Sequence, residues 1–275
     1  MIAIWQRETA NGPFVELKKG ATDVPLFLFS GGDGNPNALA PLASRMHSSR
    51  ALIAVDFCRP DDHGRLPSTV EIMADRSHSM ICALQSRGPY YLVGYSFGGL
   101  VAMEVARLLR AKGEEVALLG LIDTRFDQRF WPTPILLRSQ ARLIRRHLAA
   151  LLSLPLKQMA PMLLYRSRRL FLRLIRRRMP SSPVHSMSIM TPESTLEQHC
   201  KTLMANYRPR YYAGRITSFE AEEHDEYGCD PTQLWRTMAT EIECRTIPGT
   251  HVGIVSHGAS LTQLANALDS RLDTA

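Results

Sequence analysis

The sequence lacks the features that mark secreted, membrane-spanning and disulfide-bonded proteins. Its five cysteines are odd in number and show no C-x-x-C spacing, so we expect free thiols, packed in a core, in a reducing compartment. The most apolar internal stretch, residues 148–156, is far shorter than the roughly 20 residues that span a bilayer. The apolar run at the amino terminus ends before Gln6, which is too short for a secretory signal. We therefore expect a cytoplasmic protein with no transmembrane segment.

Acidic residues are scarce in one long segment, and this uneven charge is the main feature of an otherwise ordinary composition. Hydrophobic residues make up 45% and charged residues 21%, as is typical of a globular protein, and 275 residues can bury a core around a wide sheet. The net charge is +7, yet residues 125–178 contain thirteen arginines, one lysine and one acid, Asp127. No nucleic-acid-binding motif accompanies this basic segment, so a nucleic acid is not an expected partner.

Short β-rich runs alternate with helical patterns along most of the chain. This alternation is typical of a parallel sheet with crossover helices, so we predict an α/β fold in one domain, residues 1–275. The predicted strands lie at 25–29, 51–56, 89–93, 115–122, 215–219 and 242–247. The predicted helices of the sheet domain lie at 37–46, 68–85, 100–112 and 259–272. In the second of these helices, Ser68 is a candidate N-cap with Glu71 three residues later.

Residues 125–210 show no strand pattern and interrupt this alternation. Helices are predicted here at 134–154, 162–178 and 195–207, and breaks that contain proline separate them. The segment is therefore predicted to be a helical insertion within the domain.

One turn between a strand and a helix has the G-x-S-x-G pattern, in the segment Gly94-Tyr95-Ser96-Phe97-Gly98. The pattern alone is weak, but a place between an apolar strand and an apolar helix is the context that a nucleophile elbow requires. The glycines let the backbone pass through a tight turn, and the helix start favours a developing negative charge. We predict Ser96 as a nucleophile at the carboxyl edge of the sheet. An incidental serine in a glycine-rich turn is the alternative.

A serine hydroxyl needs a base, and a histidine at the same edge of the sheet would supply it. His251 follows the last predicted strand and precedes the last helix, and His257 is the nearest rival. A carboxylate must then orient the imidazole. Asp123, at the end of the strand after the elbow, is the first candidate. Asp225 and Asp230, which come after the following strand, remain open.

An oxyanion formed at Ser96 needs two backbone N–H donors. The Phe97 N–H, directly after the nucleophile, would supply one. The turn SGGDG at residues 30–34, after the first core strand, would supply the other, with Gly32 as the candidate. These glycines could also serve only to form the turn.

Five segments of the chain together carry a resemblance to a known family; their sequences are VPLFLFSGG, YYLVGYSFGG, LGLID, YYAGRIT and IPGTH. The chain resembles the thioesterase domains that end non-ribosomal peptide and polyketide synthases, in the α/β-hydrolase superfamily. In that family the acid follows the strand after the elbow, which supports Asp123. The stand-alone editing thioesterases place it later, which would favour Asp225 or Asp230. The family's first-strand turn often has histidine and proline where this chain has Ser30 and Gly31.

The resemblance implies an α/β-hydrolase fold and a thioesterase activity. The implied reaction releases an acyl, peptidyl or polyketide chain from a phosphopantetheine thioester through a Ser96 acyl-enzyme, by hydrolysis or cyclisation. The implied partner is an acyl or peptidyl carrier protein or a CoA thioester, and we expect no cofactor or metal ion. A carboxylesterase or lipase acting on oxygen esters would use the same triad. That reading and a non-catalytic carrier-binding module are the alternatives.

The predicted insertion, residues 125–210, would form a lid over Ser96. Its first helix has an apolar stripe suited to line an acyl pocket, formed by Leu136, Leu137, Leu143, Ile144, Leu148, Leu151 and Leu152. Its outward arginines would attract an acidic carrier protein or the phosphates of a pantetheine arm; they include Arg168, Arg169, Arg176, Arg177 and Arg178. A solvated helix face is the alternative, and peripheral contact with an anionic membrane is a further one.

Reversal of the charge of these five arginines, by substitution with glutamate, tests docking. We expect KM for a carrier-bound thioester to rise about tenfold or more, because attraction to an acidic partner becomes repulsion. KM for a small neutral thioester should stay unchanged. Steady-state kinetics on both substrates measure the effect, and equal changes in the two KM values would contradict docking by the lid.

Overall fold

Seven strands form one sheet in the computed structural model of the protein, which describes residues 12–152, 192–223 and 231–273. The strands are β1 Phe14–Lys18, β2 Thr22–Phe29, β3 Arg50–Val55, β4 Tyr90–Tyr95, β5 Val116–Ile122, β6 Tyr212–Glu223 and β7 Ala239–Thr250. Their order across the sheet is β1-β3-β2-β4-β5-β6-β7. β1 runs antiparallel to β3, and every other neighbouring pair is parallel. The predicted α/β fold with a mostly parallel sheet is confirmed.

Helices connect the parallel strands in the described parts of the chain. They are α1 Ala40–Arg45, α2 Val70–Leu84, α3 Phe97–Ala111, α4 Thr133–Leu152, α5 Pro192–Asn206, α6 Pro231–Trp235, α7 Gly253–Ser256 and α8 Gly258–Leu272. A right-handed crossover between parallel strands needs such a connection, which explains the alternation seen in the sequence. A 3₁₀ turn at Pro36–Leu39 leads into α1.

Both faces of the sheet are buried, which explains why the sequences of the central strands are continuously apolar. In β2, Leu26 and Leu28 pack with the residues of α1 and α8 on one face. Phe27 and Phe29 pack with α2 and α3 on the other face. All four side chains are fully buried. Side chains of a strand alternate between faces, so a strand covered by helices on both sides needs apolar residues at every position.

Two local features differ from the sequence-based expectation. The N-cap of α2 is Thr69, whose side chain accepts a hydrogen bond from the Ile72 N–H, so the prediction of Ser68 as the cap was wrong. The reason is that α2 begins at Val70, later than the pattern suggested, and the cap must directly precede the helix. β1 was missed because it is an edge strand with half-buried residues and little apolar alternation.

The free thiols are only partly in the core. Cys58 and Cys200 are buried as expected, and their Sγ atoms lie 3.7 Å apart. Cys82 is half-buried and Cys244 is exposed, so the core prediction was wrong for Cys244. Cys229 lies outside the described residues.

No helix of the described residues is both long enough and apolar enough to cross a membrane. This finding agrees with the absence of a long hydrophobic run in the sequence.

The part of the predicted insertion that the structure describes is helical, since α4 and α5 lie between β5 and β6. Leu136 packs against the core, whereas Leu137 and Ile144 are 63% and 58% exposed. These two side chains are therefore not packed in the core, and the role of the stripe in lining an acyl pocket stays a prediction. The side chains of the stripe residues from 148 onward lie outside the described part, as do all five arginines of the predicted docking surface.

A buried carboxylate joins the end of the insertion to helix α3. Glu104 of α3 is 1% exposed and accepts hydrogen bonds from Tyr207 Oη at 2.7 Å, Arg210 Nη2 at 2.7 Å and Arg107 Nε at 2.8 Å. Burial by itself would raise the pKa of Glu104, but these three donors outweigh it and hold the pKa below its ordinary value. Tyr207 and Arg210 follow α5 directly, so this ion pair network anchors the insertion to the elbow helix.

Substitution Glu104→Gln is expected to lower the free energy of unfolding by about 2 kcal/mol at pH 7, because two guanidinium groups lose their buried counter-charge. The folded-state pKa is lowered, so this contribution is fully present above the ordinary value of 4.5, decreases below it and is lost as the pH falls through the lower folded-state pKa. Urea unfolding at pH 7 and pH 4 measures both effects.

Glu197→Gln is the matched control, since Glu197 pairs with Lys201 on an exposed face of α5. It should cost less than about 1 kcal/mol at either pH. Equal losses in the two variants would contradict the anchoring role of Glu104.

Candidate active site

Ser96 is the single residue between β4 and α3, and its backbone conformation is strained. Its φ is 53°, in the left-handed region that residues other than glycine rarely adopt. Its N–H donates to the Ile122 carbonyl at 2.8 Å, and its carbonyl accepts from the Gly99 N–H at 3.1 Å. Strain of this kind at a sharp strand-to-helix turn is the geometry of a nucleophile elbow, which raises the side chain above the sheet edge.

The glycines of the turn are required by close backbone approaches. A Cβ atom at Gly98 would lie 2.0 Å from the Ser30 carbonyl oxygen. A Cβ atom at Gly94 would lie 2.4 Å from the Gly99 Cα atom. No side chain fits at either position, so the G-x-S-x-G pattern is a packing requirement of this turn.

Asp123 follows β5 and also has an unusual backbone, with φ of 41°. Its N–H donates to the Phe219 carbonyl at 2.8 Å, and its side chain is almost fully buried. Oδ2 lies 2.5 Å from His251 Nδ1, and Oδ1 accepts from Arg125 Nη2 at 3.1 Å. Burial would raise the pKa of Asp123, but the hydrogen bond with His251 and the charge of Arg125 outweigh it and lower the pKa. Asp123 is therefore a carboxylate at neutral pH.

His251 follows β7 and is held beside the elbow by Tyr95, the residue before Ser96. The Tyr95 and imidazole rings stack with centroids 5.0 Å apart, and Tyr95 Oη donates to the His251 carbonyl at 3.1 Å. The His251 side chain is 46% exposed, so the ring is only partly covered by the protein. With Nδ1 bound to Asp123, Nε2 is the ring nitrogen left for a substrate or for Ser96.

The structure brings Asp123 and His251 into contact and places Ser96 on the same edge of the sheet. Within the described residues, no hydrogen bond joins Ser96 Oγ to His251. The rival His257 instead bonds through Nδ1 to Ser256 Oγ at 2.7 Å. The rival acids, Asp225 and Asp230, lie outside the described residues.

The candidate oxyanion residues are neighbours. A Cβ atom at Gly32 would lie 3.7 Å from Phe97 Cβ and 3.6 Å from Cys200 Cβ, so the turn after β2 contacts both the start of α3 and helix α5. Ser30, the first residue of that turn, is 1% exposed. Helix α5, which belongs to the predicted insertion, therefore lies next to the turn after β2.

Two residues near Asp123 were missed in the sequence, Arg125 and Glu220. Glu220 of β6 is 2% exposed, and Ser218 Oγ donates to its Oε1. Arg125 Nη2 lies 3.7 Å from Glu220 Oε2. The sequence signal that could have identified Glu220 is an acidic residue between two apolar ones, Phe219 and Ala221, both of which are buried. A charged residue in a strand that is buried on both faces requires a hydrogen-bonding or charged partner.

No group of three or more histidine, cysteine or acidic side chains in the described ranges is placed to hold a metal ion. At the elbow the structure places a hydroxyl, an imidazole and a carboxylate at one edge of the sheet.

Two curated relatives illustrate what the chain is similar to. Malpinin synthetase of Mortierella alpina is 35% identical over 113 residues, which are 41% of this chain and 2% of that protein. Enterobactin synthase component F of Escherichia coli O157:H7 is 25% identical over 236 residues, which are 85% of this chain and 16% of that protein. The chain thus spans only a small part of the length of these relatives.

Solved structures show the same fold at low sequence identity. The NocB thioesterase domain, in covalent complex with a fluorophosphonate nocardicin G analog, is 23% identical with a TM-score of 0.60, and the match covers 92% of this chain and 96% of that one. The sequence model of the thioesterase domain family matches residues 24–272 of the 275 residues here. The resemblance noted in the sequence is confirmed, and the chain belongs to the thioesterase domain family.

Proposed function

We propose that the protein is a serine thioesterase that releases an acyl, peptidyl or polyketide chain from a phosphopantetheine thioester. The observation that carries this proposal is the 2.5 Å contact between Asp123 Oδ2 and His251 Nδ1, beside a strained elbow serine. The reaction takes place in two halves, with Ser96 as the nucleophile, His251 as the base and Asp123 as the orienting acid.

In the first half, His251 Nε2 takes the proton of Ser96 Oγ while Oγ attacks the thioester carbonyl carbon. The carbonyl oxygen becomes an anion, which the N–H groups of Phe97 and Gly32 would hold at the start of α3. The carbon–sulfur bond then breaks, and the imidazolium returns the proton to the leaving thiol. Asp123 stabilises the imidazolium, because its carboxylate lies against Nδ1.

In the second half, His251 takes a proton from water, or from a hydroxyl or amine of the bound chain. That oxygen or nitrogen attacks the acyl carbon, and Ser96 leaves with the proton held by His251. Water gives hydrolysis, and an internal nucleophile gives cyclisation.

The similar proteins support an acyl chain on a carrier as the substrate. One solved structure of the same fold, the Vlm2 thioesterase domain, is bound with a dodecadepsipeptide, and another is a four-domain nonribosomal peptide synthetase. We propose a carrier protein or CoA thioester as the partner and the cytoplasm as the compartment. Arg168, Arg169, Arg176, Arg177 and Arg178 remain our proposed docking surface.

A substrate panel tests this function. Acyl-N-acetylcysteamine and acyl-CoA thioesters should be turned over with higher kcat/KM than p-nitrophenyl esters of the same acyl groups. Substitution Ser96→Ala should lower kcat by about 10⁴ or more, and a fluorophosphonate should label the wild type but not this variant. Ser256→Ala, a serine outside the elbow, should keep turnover and labelling. Preference for oxygen esters would favour a carboxylesterase, and an unlabelled wild type would favour a non-catalytic module.

The two neighbouring histidines form a matched pair for the base. His251→Ala should lower kcat by about 10⁴, because Ser96 loses the group that accepts its proton. His257→Ala should change kcat less than about threefold, since its imidazole bonds only locally to Ser256. Initial rates on a single thioester measure both. A similar loss in the two variants would argue against His251 as the specific base.

A further inference from the structure

A buried carboxyl group beside Asp123 has no part in the mechanism above. Glu220 lies on β6, directly after Phe219, which is paired with Ile122 of β5. Because the Asp123 N–H also donates to the Phe219 carbonyl at 2.8 Å, Asp123 and Glu220 lie side by side across the two strands. Glu220 is 2% exposed, so its carboxyl is removed from water.

The contacts of Glu220 leave one oxygen in need of a partner. Oε1 accepts the hydroxyl of Ser218. Oε2 is buried and accepts no hydrogen bond from the described residues. Arg125 Nη2 lies 3.7 Å from Oε2, beyond hydrogen-bonding distance, and 3.1 Å from Asp123 Oδ1. A buried carboxylate oxygen without a donor is costly, whereas a protonated Oε2 can itself donate to the adjacent Asp123 carboxylate.

The charges of the cluster favour the protonated form. In the part of the chain that the structure describes, the two carboxyl groups share the guanidinium of Arg125, so ionisation of both would leave an excess negative charge there in a buried position. Burial first, and then the charge of Asp123, raise the pKa of Glu220 to about 8, against the opposing effects of Ser218 and Arg125. The pKa of Asp123 is lowered instead. At neutral pH the pair therefore consists of an Asp123 carboxylate and a Glu220 carboxylic acid.

We propose that Glu220 is a positioning residue that, as a neutral acid, donates a hydrogen bond from Oε2 to the Asp123 carboxylate and so holds it against His251 Nδ1. Glu220 does not touch the reacting atoms and acts through Asp123. The kinetic consequence rests on the proposed function, whereas the hydrogen bond does not.

Ionisation of Glu220 would remove this donor and add a negative charge beside Asp123. Among residues 12–152, 192–223 and 231–273, the charged and titratable groups facing the cluster are Asp123 and Arg125 after β5, His251 after β7 and Tyr95 of β4. Thr246, the neighbour of Glu220 on β7, does not titrate. Burial raises the pKa of Tyr95 well above its ordinary value, so Tyr95 stays neutral in the range where Glu220 ionises. Glu220 would therefore set an alkaline limit to activity near pH 8.

The pH dependence of kcat/KM separates a positioning role from a structural one. In the wild type, kcat/KM should fall above about pH 8, after subtraction of the uncatalysed rate. Glu220→Gln keeps an N–H donor and cannot ionise, so it should retain kcat near pH 7 within about threefold and lose the alkaline limb. Ser218→Ala removes a donor that favours the ionised form, so it should move the limb to higher pH. An unchanged limb in Glu220→Gln would overturn the proposal.

A variant without a donor tests the strength of the contact. Glu220→Leu should lower kcat about tenfold at pH 7 with little change in KM, because Asp123 loses one hydrogen bond while the substrate site is untouched. Urea unfolding checks that Glu220→Leu and Glu220→Gln are both folded. Equal kcat values in these two folded variants would contradict a role for the donor.

NMR tests the hydrogen bond without any substrate. In protein labelled with ¹³C-glutamate, one side-chain carboxyl should titrate near pH 8 and be absent from Glu220→Gln. The low-field proton signal of His251 Nδ1–H should shift over the same pH range in the wild type and stay constant in the variant. A Glu220 carboxyl that titrates near 4.5 would overturn the proposal. If both signals behave as expected but thioesters are not turned over, the proposed function fails and the positioning of Asp123 stands.

Discussion

The Asp123 carboxylate is the point on which the arrangement of this site depends. A charged group with 6% exposure is stable only if donors replace its lost water, and here a guanidinium and an imidazole do so. The same contacts set the direction of the imidazole, because a ring held at Nδ1 presents Nε2 away from the acid. A neutral Glu220 adds a donor without adding a charge. The Asp123 carboxylate therefore fixes the orientation of the groups around it, and those groups in turn stabilise its buried charge.

This arrangement needs the carboxyl ends of three parallel strands to meet at one edge. β4 delivers Ser96, β5 delivers Asp123, and β7 leads to His251. The backbone links them directly, since the Ser96 N–H donates to the carbonyl of Ile122, the residue before Asp123. Both Ser96 and Asp123 have positive φ values, so the chain leaves the sheet sharply at each point. The buried core on both faces of the sheet holds these strained turns in place.

The insertion is connected to the site through the helix that begins at the elbow. Glu104 of α3 binds Tyr207 and Arg210, which follow α5, and α5 contributes Cys200 to the contact with Gly32. A movement of α5 would therefore displace residues that contact both the elbow helix α3 and the turn after β2. This connection holds the end of α5 against the helix that begins at the elbow.

The sequence by itself determined the parallel sheet, the elbow and the family. Each of these can be read along the chain, from continuously apolar strands, from a turn that requires its glycines and from the order in which the strand ends follow one another. It also led to Asp123 and His251, since strand ends of a parallel sheet share an edge. Only the tertiary structure decided what surrounds Asp123. Arg125 and Glu220 reach the acid through strand register and burial, which link residues far apart in the chain. Whether a glutamate is a surface charge or a buried neutral acid depends on how much water its neighbours exclude, and only the assembled fold determines that.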